Sequence, residues 1–230
     1  MNVVVPLAGP DFVHPTYGLR PLFEVDGKPL IVTALESRPW IRSGEVRGQD
    51  LVFVVRDLPE TAEVLAVLGD RFPAHRVVTL SQLSGGALFS ALAGAALVAD
   101  DRPLCIDLVD ILYDWTDWPG GGLWRQGLGG VAPSFVSSDP AYSYFEMDGD
   151  KVLRAAEKVV ISNRASAGTY LFRDTGVFLS AAGHSLANRK ALSYRDVLFV
   201  CPAMNGVLAQ GLEVEAPLIA GVRPVGKRFH

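Results

Sequence analysis

Apolar positions in the first half of the chain come as short unbroken runs separated by stretches with helical spacing. Residues 2–7 are rich in valine, the pattern of a strand buried on both faces. Residues 51–55, 76–80 and 103–109 repeat that pattern. Between the runs, residues 29–40 predict a helix with Pro29 in its first turn. Residues 58–68 predict a second helix, with Ala62, Leu65 and Leu68 as its apolar positions. Residues 86–99 predict a third, made of small residues that suit close packing on a sheet. Strands and helices alternating at this spacing mean βαβ units, a parallel sheet and right-handed crossovers.

The pattern changes near residue 115. Trp115, Trp118 and the glycines at 120–122 predict a loop. Strand-like runs then follow without long helices, at 130–136, 142–147, 152–157 and 167–172. The sequence Asp148, Gly149, Asp150 is a hairpin signal between two of them. Residues 174–182 and 196–210 predict helices, and residues 212–222 a last strand. No repeat or low-complexity linker divides the chain. It reads as one domain over 1–230, with a nucleotide-binding half (1–115) and a mixed half (116–230) that completes the same sheet.

Composition narrows the function classes. The chain has 230 residues, 49% of them hydrophobic and 20% charged, enough for a sizeable core. Its net charge of -4 leaves no electrostatic footprint for a nucleic acid. Cys105 and Cys201 sit in apolar runs and read as buried reduced thiols. His14, His75, His184 and His230 show no metal-ligand spacing. No signal-peptide pattern and no span of bilayer length is visible, so no membrane is expected and the cytoplasm is the default.

In open parallel sheets, ligands bind beyond the carboxyl ends of the strands. Three loops lie there. After the first strand come Leu7, Ala8 and Gly9, where small residues let backbone amides approach a phosphate. Arg20 follows and could pair with phosphate oxygens. After the third strand comes Gln82, able to read a base edge, then Gly85 and Gly86, which permit a flat base to lie on the backbone. After the fourth come Asp107, Asp110 and Asp114. A carboxylate at a strand end beside a phosphate loop is a natural magnesium ligand.

Together these loops resemble the sugar-phosphate nucleotidyltransferases, the pyrophosphorylase-like enzymes that make nucleotide sugars. "RPLFEVDGKPLI", "SGGALFSAL", "LCIDLVDILYDW" and "VLRAAEKVVISNRASAGTYLF" are similar to that family's motifs, in the family's order, from residue 2 to about 210. The likeness is nearest to bacterial members linked to capsule and surface-polysaccharide synthesis. It implies a GT-A-like (Rossmann-like) three-layer α/β/α sandwich around a mixed, mainly parallel sheet. It implies a nucleoside triphosphate and a sugar 1-phosphate as substrates, with magnesium and release of pyrophosphate. Asp110 would hold the metal, Lys158 the sugar phosphate, Glu157 and Gly168 the sugar, and Gly86 the base. Homo-oligomerisation stays open.

The resemblance weakens at the first loop. "AGPDF" stands where the family has a second glycine and an arginine, and Asp11 adds negative charge beside the expected polyphosphate. Such a carboxylate repels a phosphate by about 1–4 kcal/mol at contact. Arg20 replaces a lysine, which changes the geometry at a phosphate. The second metal-binding aspartate has no clear counterpart; Arg223, Lys227 and Arg228 stand in that segment. Two alternatives therefore accompany the enzyme reading. One is a non-catalytic homologue that binds a nucleotide or sugar phosphate. The other is a GT-A glycosyltransferase, motivated by Asp107 and Asp110 as a metal pair.

Overall fold

An eleven-stranded mixed sheet runs through the molecule. The computed structural model describes residues 1–98 and 100–229. The strands are β1 (Asn2–Pro6), β2 (Leu51–Arg56), β3 (Arg76–Leu80), β4 (Leu104–Asp107), β5 (Leu128–Val131), β6 (Ser134–Val136), β7 (Tyr144–Asp148), β8 (Lys151–Ala156), β9 (Arg164–Ser166), β10 (Thr169–Phe172) and β11 (Glu213–Glu215). Their spatial order is β6-β9-β7-β8-β11-β5-β10-β4-β1-β2-β3. The four strands of the first half are mutually parallel, with β1 between β2 and β4. β10 joins them antiparallel to β4, which links the second half to the first.

Helices cover both faces, giving the expected three layers. Val3 and Val5 face one core, with α1 (Leu30–Ser37), Trp40 and α2 (Thr61–Arg71). Val4 faces the other, with α3 (Ala87–Ala95), α4 (Thr175–Ala187) and α5 (Ala203–Ala209). A strand with a core on each side has no polar face, which is why β1 and β2 read as continuous apolar runs. The third helix was expected to reach Ala99; that residue and His230 lie outside the described residues.

Several boundaries differ from the expected ones, and prolines account for most of them. The predicted helix 29–40 breaks at Arg38, which is extended (φ -69°, ψ 133°) because Pro39 excludes the helical region for the residue before it. The predicted strand 130–136 is interrupted at Pro133, which has no N–H for the ladder. The predicted strand 212–222 divides around Pro217. Only Glu213–Glu215 joins the main sheet, while Ala220–Arg223 pairs with Leu112–Asp114 in a separate ribbon. The predicted helix 196–210 is reduced to Ala203–Ala209. Arg195 and Asp196 both have positive φ (49° and 62°) and form a tight turn bridged by Tyr194 and Val197, not a helix start. In α2 the buried positions are Thr61, Val64 and Leu68, one residue out of phase with the expected stripe apart from Leu68. The hairpin at Asp148 is present, with Gly149 at φ 58° between β7 and β8.

Among the described residues, no helix is long and apolar enough to cross a membrane. Cys105 and Cys201 are buried free thiols, both pushed up from the ordinary thiol range by burial.

Candidate functional site

A cavity of about 750 Å³ opens at the carboxyl ends of β1, β3 and β4, where the crossing rule for parallel sheets places a ligand. Nine of the eleven residues singled out from the sequence line it: Leu7, Ala8, Gly9, Arg20, Gly86, Asp110, Glu157, Lys158 and Gly168. Gln82 and Gly85 are not on its wall, and Gln82 is exposed.

Gly86 sits at the start of α3 with φ 132°. A Cβ there would lie 2.1 Å from the Leu198 carbonyl oxygen. That carbonyl accepts from Leu88 N–H at 3.2 Å, and Leu198 N–H donates to the Gly85 carbonyl at 3.1 Å. The glycine is thus required first by the backbone of residue 198. Gly168 also has positive φ (75°), and its carbonyl accepts from Leu108 N–H at 2.9 Å. This bond ties the sugar-side wall to the loop that carries Asp110.

The three aspartates after β4 take three different environments. Asp107 is fully buried. It accepts from Arg38 Nε at 2.6 Å and from Arg38 Nη2 at 3.0 Å. It also accepts from Val109 N–H at 3.0 Å, and Val109 has φ 54°. Asp110 points to the cavity. Asp114 is exposed in the ribbon. Asp107 therefore has no part in a metal pair with Asp110, and the glycosyltransferase reading loses the observation that motivated it.

Arg20 is buried at the cavity floor. One terminal nitrogen pairs with Asp11 and the other with Asp110. The negative charge of Asp11 is thus met by Arg20, which the sequence did not foretell. The resemblance seen in the sequence implies magnesium. That ion takes oxygen ligands, commonly one or two carboxylates plus substrate phosphates. Here both nearby carboxylates already hold a guanidinium. No group of three or more His, Cys, Asp or Glu side chains among the described residues could hold a metal ion. In the expected position of the second aspartate, Pro224, Gly226 and Lys227 line the cavity. A Cβ on Gly226 would lie 2.7 Å from the Asp110 Cβ, so the segment is pressed against Asp110 without offering it a carboxylate. The residues present do not fit a resident magnesium ion.

On the opposite wall, Lys158 (φ 53°) holds its ammonium 5.1 Å from the Phe199 ring centre and 5.4 Å from that of Tyr194. It makes no ion pair among the described residues. Glu157 is pushed up to about 7, with burial the largest cause; the Ser143 hydroxyl donates to it, and this and Lys158 pull the other way. Ser166 donates to the Tyr170 hydroxyl at 2.9 Å on the same wall. Lys227 pairs with Asp139 and lies 4.9 Å from the Tyr142 ring centre. Ser143, Ser166, Tyr170, Phe199 and Phe229 were not singled out individually from the sequence, although Ser143 lies in the strand-like run 142–147 and Ser166 and Tyr170 lie in the motif-like segment 152–172. Trp115 and Trp118 pack with Trp40 away from the cavity, and Trp124 packs against the same core.

No family model matches the sequence, and no curated protein does. Solved structures do match. The nucleoside-diphosphate-sugar pyrophosphorylase from Vibrio cholerae superposes with a TM-score of 0.80 at 21% identity, covering 100% of this chain and 99% of that one. The fold is that of a sugar-phosphate nucleotidyltransferase. A protein assigned as a glucose-1-phosphate thymidylyltransferase from Bacillus anthracis, in complex with sucrose, gives 0.76 at 15% identity, over 100% of this chain and 93% of that one. The inositol-1-phosphate CTP transferase from T. maritima gives 0.71 at 14%, over 96% and 86%. At these identities the likeness is one of fold.

Proposed function

We propose that the protein joins a sugar 1-phosphate to a nucleoside triphosphate in this cavity. A sugar-phosphate oxygen attacks the α-phosphorus, the bond to the β-phosphate breaks, and pyrophosphate leaves with a nucleotide sugar as product. Such a reaction calls for positioning and charge neutralisation, not a covalent nucleophile. Lys158 faces the sugar phosphate, Glu157 and Gly168 the sugar, and Leu7 to Gly9 offer backbone to the nucleotide phosphates. Gly86 lies beside the base. The likeness of the sequence to capsule-type enzymes makes surface-polysaccharide synthesis the consumer of the product. The observation that carries this reading is the convergence on one cavity of six residues singled out from three strand-end loops and three from the resemblance.

A second reading, ligand binding without transfer, is favoured by the pairing of Arg20 with Asp11 and Asp110, which leaves less free positive charge for a triphosphate.

A thermal-shift panel of nucleoside triphosphates, sugar 1-phosphates and nucleotide sugars tests both, followed by a pyrophosphate-release assay on whatever binds. A ligand at about 100 times its dissociation constant adds roughly 2.7 kcal/mol, an easily seen shift. Binding with pyrophosphate release that Lys158→Met lowers supports the enzyme. Binding without release across the panel supports the second reading. No shift with any of them rejects both.

A further inference from the structure

The Asp11 and Asp110 carboxylates approach the same guanidinium from two sides. Their side chains are 17% and 24% exposed, and that of Arg20 is 11% exposed. Each terminal nitrogen of Arg20 serves a different carboxylate. Two like charges brought to one small volume need a cation between them. A divalent ion is one solution, and here a side chain supplies the charge.

Neither the carboxylates nor the arginine is free to drift. Asp11 lies in the turn Pro10–Phe12, anchored by Phe12 in the core. Arg20 opens the turn Arg20–Leu22, where Pro21 is buried. Asp110 follows Val109, whose N–H donates to Asp107, and its own carbonyl accepts from Gly226 N–H at 2.8 Å. The whole arrangement is built into the cavity floor.

We propose that Arg20 is the resident cation of this cavity: it holds the place between Asp11 and Asp110 that a divalent ion would otherwise take, so phosphate-bearing ligands bind here without magnesium. This rests on the reading of the cavity as a phosphate-ligand site. Two carboxylates and one guanidinium leave the floor with one net negative charge.

Manganese binding, followed by the paramagnetic signal of the free ion, tests the cation site without any nucleotide. The wild-type chain is expected to show no stoichiometric site at millimolar Mn²⁺. Arg20→Met, and Arg20→Gln as a variant that keeps N–H donors at the floor, free both carboxylates. Each is expected to gain one site per chain, at least about tenfold tighter than the wild-type background, and to lose it when Asp110→Asn is added. A stoichiometric Mn²⁺ site in the wild type that Asp110→Asn removes overturns the proposal. So does a folded Arg20 variant, by circular dichroism, that gains none. The wild-type measurement stands even where a variant fails to fold. A second arm compares nucleotide-sugar binding to the wild type in Mg²⁺ and in EDTA: equal affinity supports the proposal, and a loss of tenfold or more in EDTA overturns it. Absence of nucleotide-sugar binding in both buffers counts against the function reading and leaves the manganese result to decide on Arg20.

Discussion

The Arg38 guanidinium donates twice to the Asp107 carboxylate, at 2.6 and 3.0 Å, with both side chains fully buried. The same guanidinium donates to the Ile111 carbonyl at 3.1 Å and lies 4.0 Å from the centre of the Tyr113 ring. One buried cation thus grips both ends of the loop that presents Asp110 to the cavity. Arg38 reaches this place because Pro39 turns the chain out of α1 there.

Removing one partner of this pair strands a buried charge. Arg38→Met is expected to cost about 3–5 kcal/mol of stability in urea unfolding. The double change Arg38→Met with Asp107→Leu removes both charges, and most of that loss is expected to return. If the double variant is no more stable than the single one, the pair is not the source of the cost.

Glu157 makes stability depend on pH. Its ordinary value is 4.5 and burial raises it to about 7 in the folded chain. Between these values the native state holds a proton that the unfolded state has released. Stability is therefore full below the lower value, falls as pH rises through the window, and levels off above the upper one. The slope is at most about 1.4 kcal/mol per pH unit. Denaturant unfolding of wild type and Glu157→Gln across that window is the check: the Gln variant should show a flatter profile. Parallel profiles would remove Glu157 as the titrating group.

Gly86→Ala should destabilise the chain by about 2 kcal/mol or more, since its φ is 132° and the new Cβ would meet the Leu198 carbonyl at 2.1 Å. Gly121→Ala, at a site with nothing within 4 Å, is the control and should be near neutral. Thermal melts of both decide it.

Lys158→Met tests the sugar-phosphate wall. The ring contacts with Phe199 and Tyr194 can hold a Met side chain, so the variant should keep its fold. Loss of a charge-assisted hydrogen bond of about 1.5–3 kcal/mol predicts a fall in sugar 1-phosphate affinity of about 10- to 150-fold. An unchanged affinity by calorimetry would place the phosphate elsewhere.

The sequence by itself determined the strands of the first half and where they end. Apolar runs such as residues 2–7 and 51–55 report burial on two faces, a local property of the chain. Strand ends in turn mark the rim of the cavity, so Ala8, Gly86 and Asp110 could be found without coordinates. Prolines at 39, 133, 202 and 217 shifted the boundaries where apolar periodicity was followed through them. Only the tertiary structure decided what each charge does. Asp107 and Asp110 are three residues apart and indistinguishable in a sequence, yet one meets Arg38 from 69 residues away and the other meets Arg20 from 90. Ion pairing is settled by which side chains the folded sheet brings together. Periodicity, which senses only near neighbours, carries no record of it.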